Sequence, residues 1–75
     1  MSIDRDLIKI QKAFGERVRE LRVKKGLSQF DLASHCNYEK STISRIENGR
    51  TNITLKTALN LSSKLEVKLK DLFEF

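Results

Sequence analysis

The 75-residue chain has no proline and no tryptophan, and it holds only one cysteine, one histidine and three glycines. Sheet-rich small folds need far more turn punctuation than this, so an all-α architecture is expected. Cys36 cannot form an internal disulfide, and one cysteine with one histidine makes no zinc site, so no metal or cofactor is expected. A lone thiol also suits a reducing compartment. No apolar run approaches the roughly 18 residues of a membrane-spanning helix, and the first residues do not follow a secretory-leader pattern. A soluble, cytoplasmic protein with no membrane partner is expected. Glycine-rich phosphate loops are absent too. His35 and Cys36 are neighbours that would point about 100° apart on a helix. No enzyme is expected.

What is present is charge and short apolar spacing. Charged residues make up 33% and hydrophobic residues 39% of the chain, which suits one folded domain better than a disordered tail. The formal net charge of +5 favours a polyanionic partner. The basic excess is spread along both halves, so a basic face must be assembled by folding. A chain this short buries roughly 60% of the surface its unfolded form exposes. Stability should be modest, with room for support from a partner subunit.

Ile3, Leu7, Ile10, Phe14, Val18 and Leu21 recur every three or four residues, the stripe of a long helix over about 4–25. Ser2 or Asp4 would cap it. Gly15 inside it marks either a close packing contact or a weak point, and Gly26 should end it. Ser28 and Asp31 have capping-box spacing for a second helix. Leu32, Ala33 and Cys36 would form its buried edge, and Asn37 suits a sharp left-handed turn. A third helix is expected over about 39–48, ended by Gly49. A fourth should be capped by Thr54, with a stripe of Leu55, Ala58, Leu59, Leu61, Ser62 and Leu65. Leu69, Leu72 and Phe73 fit a short fifth helix.

The third helix is the informative one. Ile43 and Ile46 would hold it to a core, while Lys40, Ser41, Thr42, Ser44 and Arg45 lie on its open side. A rigid helix whose exposed edge consists of hydrogen-bonding groups, in a basic protein, suits the major groove of double-stranded DNA.

The segments FGERVRELRVKKGLSQFDLA and STISRIENGR, with the later spacing Leu55, Leu59, Leu61, Leu65 and the DLF at 71–73, resemble the phage-repressor/Cro type of helix-turn-helix domain, also called XRE-like. Short stand-alone forms of this family include restriction–modification controllers and small prophage or plasmid repressors. The resemblance implies a compact five-helix domain over 1–75. Residues 1–12 would lengthen helix 1, 28–48 would form the helix-turn-helix, and 54–73 would form helices 4 and 5. It implies base contacts from Lys40, Ser41 and Arg45, the last being able to clamp guanine with two bonds. It implies phosphate contacts from Ser28, Gln29, Thr42, Ser44, Asn48 and Arg50, with Ser28 offering a hydroxyl and free N–H groups at a helix start. Arg22 and Glu47 match a structural ion pair that should not touch DNA.

Four positions depart from the family pattern. Asn37 replaces the usual turn glycine, Ile53 stands where proline is frequent, and Glu66 stands where glycine often ends helix 4. Glu39 occupies a common serine-cap position. Its charge would repel phosphate, accept from cytosine N4, or favour the helix N-terminus through the dipole. Phe30 falls off the buried edge of helix 2, either exposed or packed under the N-terminal extension. The C-terminal apolar residues Leu69, Leu72, Phe73 and Phe75 suggest a homodimer contact, with part of them capping the core. RNA polymerase is a further candidate partner. The rival reading is an antitoxin or other protein-interaction module on the same fold.

Overall fold

A computed structural model describes residues 2–75. Its elements are α1 (Ile3–Lys24), α2 (Gln29–Cys36), α3 (Lys40–Glu47), α4 (Leu55–Leu65) and a 3₁₀ helix, Leu69–Phe73. No strand occurs among the described residues, and no helix there is long and apolar enough to cross a membrane. The expected fifth α-helix is therefore a single 3₁₀ helix. Leu69 and Leu72 lie three residues apart, so the three-residue period of a 3₁₀ helix eclipses them on the core side, where an α-helical period would offset them by about 60°. Asp71 closes its start by accepting from Lys68 N at 2.9 Å.

Three of the four α-helices start on a side-chain cap. Ser2, rather than Asp4, caps α1 by accepting from Arg5 N at 3.4 Å. Ser28 and Asp31 form a complete capping box on α2, and Thr54 caps α4. All four then end in one motif. The residue after each helix adopts, or is followed by, a left-handed conformation, and two N–H groups fold back onto carbonyls of the last turn. At α1 these are Gly26 N to Val23 O at 2.9 Å and Leu27 N to Arg22 O at 3.1 Å. The left-handed residues at the four ends are Gly26, Asn37, Gly49 and Glu66. Glu66 thus ends α4 in the conformation that glycine usually supplies.

Eleven hydrophobic residues form the core: Phe14 and Val18 from α1, Leu32, Ala33 and Cys36 from α2, Ile43 and Ile46 from α3, Ala58, Leu61 and Leu65 from α4, and Leu72. Burial pushes the Cys36 thiol above its ordinary value of 9.0, with Lys64 opposing, so it is a neutral thiol with little nucleophilic character. Gly15 is a packing contact. A β-carbon there would sit 2.3 Å from the Ile46 carbonyl oxygen, so the end of α3 rests directly on the backbone of α1. Gly49 makes the reciprocal approach, and a β-carbon there would meet Lys12 Cα at 2.7 Å.

Several stripe residues are not buried. Ile3 is exposed on the first turn of α1, and Ile10 is exposed on the wall of an apolar groove. Leu55 and Leu59 are exposed because α4 presents Ala58, Leu61, Ser62 and Leu65 to the core instead. Leu72 is 0% exposed and caps the core, so it cannot belong to a dimer surface in the folded chain. Phe30 is 67% exposed and does not pack under the N-terminal extension.

Candidate nucleic-acid interface

At about 100° per residue, Lys40, Ser44, Asn48, Ser41 and Arg45 fall within one arc of α3. Ile43, Ile46 and Glu47 occupy the opposite arc and are buried. Lys40, Ser41, Arg45, Asn48 and Arg50 are exposed, Ser44 is half-buried within the arc, and Thr42 is half-buried outside it. The polar ridge anticipated from the sequence is therefore assembled on one side. Asn48 Nδ2 donates to Ser44 Oγ at 3.4 Å across the last turn.

Three cations are engaged by carboxylates within the fold. Arg17 pairs with Glu20 and Glu74, Arg22 with Glu47, and Lys25 with Glu66. Among the described residues, Lys40, Arg45 and Arg50 form no ion pair. An unpaired guanidinium keeps its whole fork of donors for an incoming acceptor. Glu39 is the N-cap of α3 in an extended conformation, but its side chain makes no cap bond. Its carboxylate stands exposed beside Lys40.

The start of α2 is more constrained than its sequence suggests. Ser28 Oγ accepts from Asp31 N at 2.9 Å, and Ser28 N donates to Asp31 Oδ2 at 3.0 Å. Ser28 N–H is therefore not free. The open backbone donors there are those of Gln29 and Phe30. The bonds from Ser28, backbone N–H first and hydroxyl side chain second, hold the Asp31 carboxyl below its ordinary value of 3.8. A fixed negative charge thus sits beside the intended phosphate position.

Gln29 is brought to the far end of α3. Its Nε2 donates to Glu47 Oε1 at 3.1 Å. Glu47 also accepts from Arg22 Nε at 2.6 Å and Arg22 Nη2 at 3.0 Å, and Arg22 Nη1 donates to Leu27 O at 2.7 Å. The expected Arg22–Glu47 pair is present and buried.

Sequence reading passes over Thr51, Asn52 and Thr57. They flank a small cleft of about 130 Å³ with Thr42 and Arg45, between α3 and the start of α4. The signal for Thr51 and Asn52 is the polar loop at 50–53, from which the resemblance takes only Arg50 as a DNA contact. An apolar groove of about 200 Å³ lies on another face, lined by Leu7, Ile10, Phe14, Ile53, Leu55 and Phe73 among others.

Comparison with known proteins agrees with this geometry. A helix-turn-helix family profile matches residues 18–72. The chain is 39% identical over 67 residues to control protein C.BamHI of Bacillus amyloliquefaciens, covering 88% of this chain and 83% of that one. It is 36% identical over 61 residues to control protein C.MunI of Mycoplasma sp, covering 80% and 82%. The crystal structure of the restriction-modification controller protein C.AhdI from Aeromonas hydrophila is similar with a TM-score of 0.82 at 38% identity, covering 84% of this chain and 96% of that one. By this match over most of its length, the chain belongs to the helix-turn-helix family.

Proposed function

We propose that this protein is a sequence-specific transcriptional regulator that binds double-stranded DNA and lays α3 in the major groove. The observation that carries the reading is the exposed arc of α3, which gathers Lys40, Ser41 and Arg45 on one side while Ile43 and Ile46 hold the opposite side in the core. Lys40, Ser41 and Arg45 take the base edges. Gln29, Thr42, Ser44, Asn48 and Arg50 take the phosphates, with Ser28 contributing at most its hydroxyl. The relatives named as control proteins support a regulator of transcription, acting in the cytoplasm by occluding a promoter or by contacting RNA polymerase beside it.

The working form is a homodimer on a near-palindromic operator, with two copies of α3 about 34 Å apart along the duplex. Phe73, Phe75 and the half-buried Leu69 supply apolar surface for that contact. The Phe73 ring lies 5.2 Å from Phe14 and 6.4 Å from Phe75, so the exposed phenylalanines continue outward from the core.

Selection from random duplex DNA at a stated salt concentration tests the reading. The native protein should recover a defined half-site. Arg45→Ala should lose preference at one position per half-site, at a cost of about 1–3 kcal/mol. Recovery of no preferred sequence at any salt would refute the proposal.

A further inference from the structure

The Arg22–Glu47 pair has the position and burial of a purely structural element, yet one hydrogen bond leads from it to the interface. Glu47 Oε1 accepts from both Arg22 Nη2 and Gln29 Nε2, at 3.0 and 3.1 Å. The Glu47 side chain is 2% exposed, and Arg22 holds both of its oxygens. An ionised carboxylate can only accept, so the Gln29 amide must turn its nitrogen, not its oxygen, toward Glu47. That nitrogen carries two hydrogens, and one is committed to Glu47. The other remains, close in sequence to the open backbone N–H groups of Gln29 and Phe30. A phosphate oxygen is likewise an acceptor only.

We propose that Glu47, clamped by Arg22, is a positioning residue for DNA binding: it holds the Gln29 amide so that its second N–H is presented to one phosphate of the duplex. This deepens the DNA-binding reading and rests on it. The device has three physical consequences. A glutamine already held loses less rotamer freedom on docking than a free one. The neutral, bidentate pair keeps a bare carboxylate from facing the phosphate. Glu47 is also the last residue of α3, so the backbone contact and the base-reading helix are registered to the same carboxylate.

A mutant cycle on the full chain, with the duplex recovered by selection as probe, tests this. In the native protein, Gln29→Ala should weaken binding about tenfold on every duplex. The slope of log affinity against log salt should not change, because glutamine carries no charge. The double variant Arg22→Met/Glu47→Leu removes both charges and keeps apolar bulk, a replacement that buried pairs often tolerate. It should already bind about tenfold more weakly, and adding Gln29→Ala should then change affinity by less than about twofold. A full Gln29→Ala penalty in both backgrounds, with only the melting midpoint moved by the double variant, would overturn the proposal.

Should the double variant fail to fold, the native protein still decides. By NMR, one Gln29 side-chain amide proton should be protected from exchange before DNA is added, and the other should shift when the duplex binds. Two equally exchanging protons, or no response of the second to DNA, would also overturn it. Failure to bind any duplex would instead sink the functional reading itself.

Discussion

At Gly15 a single methyl group has no room. An alanine there gains about 1 kcal/mol of helix propensity over glycine. Its β-carbon would nevertheless lie 2.3 Å from the Ile46 carbonyl oxygen and 2.7 Å from that of Glu47, and neither backbone group can swing away like a side-chain tip. Overpacking wins, and Gly15→Ala should destabilise the fold by about 1–3 kcal/mol in urea titration. The Arg22–Glu47 pair makes a second residue-scale prediction. Arg22→Ala should cost about 3–5 kcal/mol, since it leaves a buried carboxylate uncompensated. These two positions show what a sequence tells at this scale. Glycine in a helix announces either contact or weakness, and only the opposing carbonyls choose between them. The ion pair was legible through family resemblance. The bond from Gln29 to Glu47 was not, because it joins two elements across 18 residues and depends on how α2 sits against α3.

Helix ends were the most legible elements, because capping chemistry is local. Ser28 with Asp31, Thr54, Gly26, Asn37 and Gly49 all act where their spacing implied. Glu66 bears the cost of the one end without a glycine or asparagine. A side chain in the left-handed region is strained, so Glu66→Gly should raise the melting midpoint by a few degrees despite losing its contact with Lys25. Carboxylates at these ends also set a pH dependence. Bonds from Ser28 lower the Asp31 pKa from 3.8, and the side-chain bond from Lys25 lowers that of Glu66 from 4.5. Lowered folded values mean that both contributions are complete above the ordinary values and disappear as pH falls through the folded ones. The melting midpoint should therefore drop below about pH 4. Asp31→Asn should flatten that drop, which calorimetry across pH 2–6 would show. Apolar stripes were less legible than caps. Periodicity marks a face, but neither how far along the helix the body extends nor which part of the stripe meets the core, which is why Ile3, Ile10, Leu55 and Leu59 ended outside it.

The whole molecule measures 37 × 23 × 20 Å. Twenty-two residues of α1 span about 33 Å, so that helix sets the long axis and its first turns project. Ile10, Leu55, Phe73 and Phe75 are left exposed around or near the apolar groove, more than a small monomer hides. For the proposed dimer, Phe75→Glu should weaken self-association without lowering the monomer's helix content. Sedimentation and circular dichroism on the same sample separate the two effects, and a native chain that stays monomeric at high micromolar concentration would end the dimer. Among the described residues Arg17, Arg22 and Lys25 are tied to carboxylates, and most other cations, those of the ridge included, stand without an ion pair. Arg50→Ala, at a proposed phosphate contact, should reduce the salt slope of DNA binding by about one.

The main-chain seat of α3 has a longer consequence. Two isoleucines, the Glu47 pair with Arg22 and a bare contact between backbones settle its pose, and none of the outward letters at 40, 41, 44 and 45 bonds to another helix to hold it there. Descendants of this gene can therefore respell those letters, and so acquire a new vocabulary of targets, while inheriting the same scaffold unaltered.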